Sequence, residues 1–130
     1  MLLNFNKSGF KMIIIQIMSL IIFAYIFFIS SIPLIFKKIK PDFFYGLKTK
    51  KTLENEETWY KANKVFGITL YITAVIMLSG SIFLYYFHNL INRIFFQLIF
   101  FIVFFVPLFL STIISYIYLY NLKPSSTNKK

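Results

Sequence analysis

The chain has 130 residues, 58% of them hydrophobic and 22% aromatic, with a formal charge of +10. That balance excludes an ordinary soluble domain, which needs far more polar residues to cover its surface. The absence of cysteine excludes disulfides and thiolate chemistry. One histidine and four clustered carboxylates leave little for a catalytic or metal-binding constellation, so no enzyme, metal or cofactor is expected.

The N-terminal flank carries Lys7 and Lys11 and leads into an uncharged run from Met12 to Phe36. Met12 to Ile32 alone is 21 residues, or about 31 Å of helix, which matches a bilayer core. A secretory leader would have an apolar region of roughly 7–15 residues and a small-residue cleavage site. This run is too long and has no Ala-x-Ala, so it is read as a retained transmembrane helix, with Pro33 kinking or ending it.

A polar island follows, residues 37–64, with all four acidic residues and eight of the fourteen basic ones. Pro41 and Gly46 break its first half, which reads as an ordered loop. Phe43, Phe44 and Tyr45 lie among lysines there, a composition suited to the headgroup level of a bilayer. From Thr52 to Lys64 the chain reads as a membrane-proximal helix that runs into the next span. Thr52 is its expected N-cap, with Glu54, Glu56 and Glu57 in the first turns and Glu57–Lys61 as an i,i+4 pair. At 100° per residue Glu57, Lys61 and Lys64 share one face, while Trp59, Asn63 and Phe66 share the other, close to Glu56. Two arrangements fit this second face. Either it packs on the Tyr45–Thr49 loop, with Asn63 and Glu56 holding loop backbone groups or Lys48, or the helix is solvated and Trp59 is an interfacial anchor.

Val65 to Phe87 is a second uncharged run, with Ser79-Gly80-Ser81 as an expected close-packing point. A tight turn at 88–93 precedes the third run, Ile94 to Tyr120, which contains Pro107 as an expected kink. Tyr85, Tyr86, Tyr116, Tyr118 and Tyr120 fall near span ends, as an aromatic belt requires. The tail, 121–130, is polar and expected to be mobile. The sum is one all-α integral membrane domain, 1–130, with transmembrane helices at about 12–36, 65–87 and 94–120 and a loop and membrane-proximal helix between the first two.

The lysines report orientation. The island and tail carry eleven basic residues against three on the N-terminal flank and the 88–93 turn, which puts the island and C-terminus in the cytoplasm and the N-terminus outside. Anionic lipid at the lysine-rich flanks is the expected partner of this charge, and direct nucleic-acid binding is not expected. No span contains an ionisable residue, which argues against a proton-coupled transporter. The small-residue and Gln/Ser positions, such as Gly80 and Gln97, would suit packing with another membrane protein or a second copy of this chain.

In order, Pro41, Tyr45, Gly46, Thr49, Thr52, Asn55, Glu56, Glu57, Trp59, Asn63 and Gly67 resemble the signature of SdpI-type immunity proteins. That signature runs roughly Pro-Asn-x-x-Phe/Tyr-Gly-x-Arg-Thr-Pro-x-Thr, then a short acidic run, Trp, and Asn one helical turn later. Here Asp42, Lys48 and Lys50 replace its Asn, Arg and Pro. Lysine at position 48 keeps the charge without the planar fork that grips a carboxylate or phosphate. The resemblance implies a bacterial cell-membrane protein that protects its cell from a secreted, membrane-active peptide toxin. It also implies signalling through capture of a cytoplasmic repressor. Its implied interaction residues are Pro41, Tyr45, Gly46, Lys48, Thr49, Thr52, Glu56, Trp59, Asn63 and Gly67. The alternative expectation is a structural or accessory subunit that packs with another membrane protein through its spans.

Overall fold

The computed structural model of the chain describes residues 7–41 and 44–123. Four helices account for most of them: α1 (Lys7–Ile35), α2 (Lys50–Leu53), α3 (Glu56–Phe87) and α4 (Arg93–Asn121). α1, α3 and α4 are each long and apolar enough to cross a membrane, so the all-α, three-span reading holds. The expectations for Asp42, Phe43 and the tail from residue 124 onward fall outside the described residues.

α3 is the central helix. Both α1 and α4 pack along it. Each contact uses a narrow stripe, such as Ile13, Ile17, Leu20 and Ala24 on α1, at the three- and four-residue spacing of one helix face. The remaining faces display large apolar side chains, among them Ile15, Tyr25, Phe101 and Phe109, which suits hydrocarbon as the surrounding solvent. Close approach depends on two glycines. A Cβ at Gly67 would come 2.9 Å from the Cβ of Leu34 on α1. At Gly80 it would collide with Val103 on α4, so the expected packing point contacts the same chain. A polar ladder sets the register between α3 and α4. Ser111 donates to the Thr69 hydroxyl at 2.8 Å, Ser115 to the Ser111 carbonyl at 2.7 Å, and Thr73 lies 3.3 Å from the Pro107 carbonyl. Every hydroxyl in the ladder has a partner, as a low-dielectric interior demands. α4 runs through Pro107 as one helix.

The start of α3 corrects one expectation. Thr52 does not cap it. Thr49 and Thr52 form a reciprocal capping box that closes α2, and Glu54 is the C-cap of that short helix. Asn55 caps α3 instead, its side chain accepting from the N–H groups of Glu57 and Thr58 at 2.8 and 3.2 Å. Glu56 and Glu57 do occupy the first turn, where their charge meets the positive helix end. With 32 residues, α3 is about 48 Å long and outreaches a bilayer core of about 30 Å, so the membrane-proximal helix and the second span are one unbroken rod.

α1 ends two residues after Pro33, in a Schellman turn. The N–H of Lys38 donates to the Pro33 carbonyl at 2.9 Å and that of Lys37 to the Leu34 carbonyl at 3.3 Å. Lys37 sits at φ +56, the left-handed region that glycine normally fills in this motif. Its side chain is exposed, so the strain is not offset by packing. Lys37→Gly should therefore raise stability by about 1 kcal/mol, the left-handed penalty less the extra backbone entropy of glycine. A thermal melt in detergent checks this, with an upward shift expected.

Candidate functional site

Leaving α1, the chain folds back over the first turns of α3. Trp59 is fully buried beneath it, packed with Leu34, Ile39 and Leu70 and flanked by Tyr45 and Phe66. A buried indole must place its N–H, and this one donates to the Ile39 carbonyl at 2.8 Å. One turn on, buried Asn63 uses both ends of its amide. Its Oδ1 accepts from the Leu47 N–H, and its Nδ2 donates to the Trp59 carbonyl at 3.0 Å. Gly46 makes this approach feasible. It has φ +127, and a Cβ there would lie 2.6 Å from the Asn63 Oδ1 and 3.2 Å from the Trp59 ring.

Leu47 then buries its side chain against Ala62 of α3 and Leu119 of α4. The Thr52 hydroxyl lies 2.9 Å from the carbonyls of Leu47 and Thr49 and accepts the Thr49 N–H at 2.8 Å, closing the loop on itself. Lys51 joins the assembly to α4. Its ammonium donates to the carbonyls of Leu119 at 2.8 Å, Tyr120 at 3.3 Å and Leu122 at 2.6 Å. Three donors meet three acceptors at the negative end of the helix.

Of the two arrangements open to the Trp59 face, the packed loop is the one observed. Tyr45, Gly46, Thr49, Thr52, Trp59 and Asn63 are brought together, and Pro41 lies half-buried in the turn that leads in. Gly67 stands apart, at the contact of α3 with α1. Two expectations are corrected. Glu56 does not hold the loop: its side chain is exposed, and its charge acts on the Tyr60 phenol one turn along. The Lys48 side chain points away from the packed face and is exposed. The neutral Asn63 amide takes the buried Leu47 N–H, so the contact is made without burying a carboxylate. Lys51, Ile39 and Leu47 were not anticipated. Lys51 is one of eight island lysines with no spacing to mark it, and the other two act through backbone groups that sequence does not display.

The electrostatics follow the packing. Desolvation raises the Tyr45 phenol above its ordinary pKa. At Tyr60 partial desolvation, then the charge and hydrogen bond of Glu56, do the same. The hydrogen bond and charge of Glu57 raise Lys61. That pair is solvent-exposed and contributes little to stability. Phe44 and Lys48 of the loop, Leu53 of α2 and Glu56 at the start of α3 are all exposed. Among the described residues no group of His, Asp or Glu is placed to hold a metal.

These features define a small multi-pass membrane protein whose polar loop is hydrogen-bonded onto the membrane-proximal turns of its central helix. The SdpI/YfhL protein family model matches residues 38–119, from the loop through α3 to the end of α4, and the chain belongs to that family. Comparison with curated proteins and with solved structures gave no match.

Asn63→Leu strands the buried Leu47 N–H and should lower stability by about 2–3 kcal/mol, and Gly46→Ala should be at least as damaging because strain and collision add. Both are read as loss of helical signal at lower temperature in detergent. Lys51→Met removes three charge-assisted bonds at a partly exposed site and should cost about 2 kcal/mol. In hydrogen exchange its effect should be confined to residues 47–53 and the last turn of α4; uniform loosening of the whole chain would contradict the latch.

Proposed function

We propose that this protein is an immunity protein of the bacterial cell membrane, which protects its cell from a secreted, membrane-active peptide toxin. The observation that carries this reading is the family match over residues 38–119, within which Tyr45, Gly46, Thr49, Thr52, Trp59 and Asn63 of the signature come together in one packed loop. The loop end of the bundle faces the cytoplasm in this reading. α1 begins beside the 88–92 turn, where Phe10 contacts His88, so the island and the end of α4 share the opposite, lysine-rich end.

The working surface is the exposed side of the loop, where Lys48 stands at the position of the family's arginine. The side chains of Phe44, Lys48 and Glu56 are exposed, and the loop backbone is hydrogen-bonded onto α3, which suits capture of a cytoplasmic regulator when toxin is present, since less ordering is left to be done on binding. An accessory-subunit role has less support. Gly80, its most natural docking point, is filled by Val103 of the same chain.

Expression in a sensitive bacterium, followed by challenge with membrane-active peptide toxins, tests the proposal. Survival should rise with the intact chain. Lys48→Ala should leave the melting temperature unchanged, because its side chain is exposed, yet lower protection at least tenfold. Membrane-inserted protein that protects against none of the toxins would overturn the reading.

A further inference from the structure

Near the middle of the bundle α1 and α4 meet through an edge-on contact of Phe23 with Phe104, ring centroids 5.1 Å apart. One turn closer to the loop a cleft of about 390 Å³ opens between them. Ile26 and Ser30 of α1 form one wall, Leu108 and Thr112 of α4 the other, Leu70 of α3 lies at the back and Tyr45 of the loop forms the roof. Ile26 and Thr112 are exposed, so the cleft is open along the side that faces the hydrocarbon. Ile26 precedes the end of α1 by nine residues and Thr112 precedes the end of α4 by nine. The cleft therefore reaches about 14 Å below the helix ends, close to the depth of one leaflet's acyl region.

Size and charge select the occupant. A helix of that length occupies about 1,000 Å³, so a partner helix does not fit. The volume lies within the range of small-molecule sites, and the lining is apolar apart from a few hydroxyls. At the same end of the bundle the described segments hold nine lysines against three glutamates, and Lys37, Lys38 and Lys40, which directly follow α1, are all exposed. That charge complements an anionic headgroup at the membrane surface.

We propose that this cleft is a binding site for one acyl chain of an anionic phospholipid from the loop-side leaflet, whose headgroup phosphate rests on Lys37, Lys38 and Lys40. The site is independent of toxin protection. Its roof is the signature loop, so an occupied cleft supports Tyr45 from below.

The test is native mass spectrometry of the full chain in mild detergent, with phosphatidylglycerol and phosphatidylcholine offered at equal concentration. One phosphatidylglycerol per chain should be retained, at least tenfold over phosphatidylcholine. Ser30→Phe and, separately, Thr112→Phe fill the cleft without removing a bond between helices, and each should lower that retention tenfold or more. Changing Lys37, Lys38 and Lys40 together to Gln should bring phosphatidylglycerol down to the phosphatidylcholine level. This variant disturbs no packed side chain, so it decides the matter even if a Phe variant fails to fold. Equal retention of the two lipids by the unmodified chain, or no retention of either, overturns the proposal. So does retention unchanged in folded Phe variants, or complete displacement by glycerol phosphate, which would place binding on the lysines alone.

Discussion

The loop end of this molecule depends on the side-chain amide of Asn63. It is buried, it sits on the central helix, and it uses both ends at once, accepting the Leu47 N–H and donating to the Trp59 carbonyl one turn back. In a site this dry an unpaired amide group costs far more than at a surface, so the loop has one low-energy register. That register places the Ile39 carbonyl over the Trp59 indole and leaves room at position 46 only for glycine. Trp59, Asn63 and Gly46 therefore behave as a single unit, and their energetic contributions should not add independently.

α3 transmits this local order to the bundle. Being continuous from Asn55 to Phe87, it carries the loop platform on its first two turns and the spanning contacts on the rest. Gly67 draws α1 against it just below the platform, and the hydroxyl ladder from Thr69 to Ser115 fixes α4 on the other side. Lys51 then ties the loop back to the end of α4. The loop is thus bound to α1 through Ile39, to α3 through Asn63 and to α4 through Lys51, and a movement of any one helix end is felt by it. In the membrane, where burying apolar area gives helices little reason to associate, such specific polar and close-packing contacts carry more of the association than they would in water.

Much of this was legible in the sequence. Uncharged runs of bilayer length fixed three spans, and the 100° projection of Trp59, Asn63 and Phe66 identified the face that packs on the loop. The misreadings share a cause. Thr52 precedes an acidic run and looks like a helix cap, yet its hydroxyl is drawn back to Leu47 and Thr49, and Asn55 takes the role. Glu56 lies near the packed face in projection, but its side chain is exposed, and the buried amide of Asn63 meets the loop instead. Apart from Lys48 and Lys61, the island lysines were read as topological charge, which conceals Lys51 among seven exposed lysines. Competition for backbone partners is settled in three dimensions, and helical periodicity does not carry that information.

The division between inward and outward residues bears on function. Six uncharged residues of the signature, Tyr45, Gly46, Thr49, Thr52, Trp59 and Asn63, build the platform, while Glu56, and Lys48 at the position of the signature's arginine, are exposed. A partner that docks on such a surface meets side chains already held in place, so its binding energy goes into contact rather than into ordering a loop. Under the proposed immunity role, substitutions in the two sets should separate: inward changes would alter protection by unfolding the platform, outward ones by altering what it presents. A lysine in place of arginine at position 48 belongs to the second set, where it replaces a planar two-pronged donor with a point charge and so weakens selection for a carboxylate or phosphate of fixed orientation while keeping the attraction. Under the proposed immunity role, position 48 is therefore where a substitution would change what the platform presents while leaving the platform itself in place.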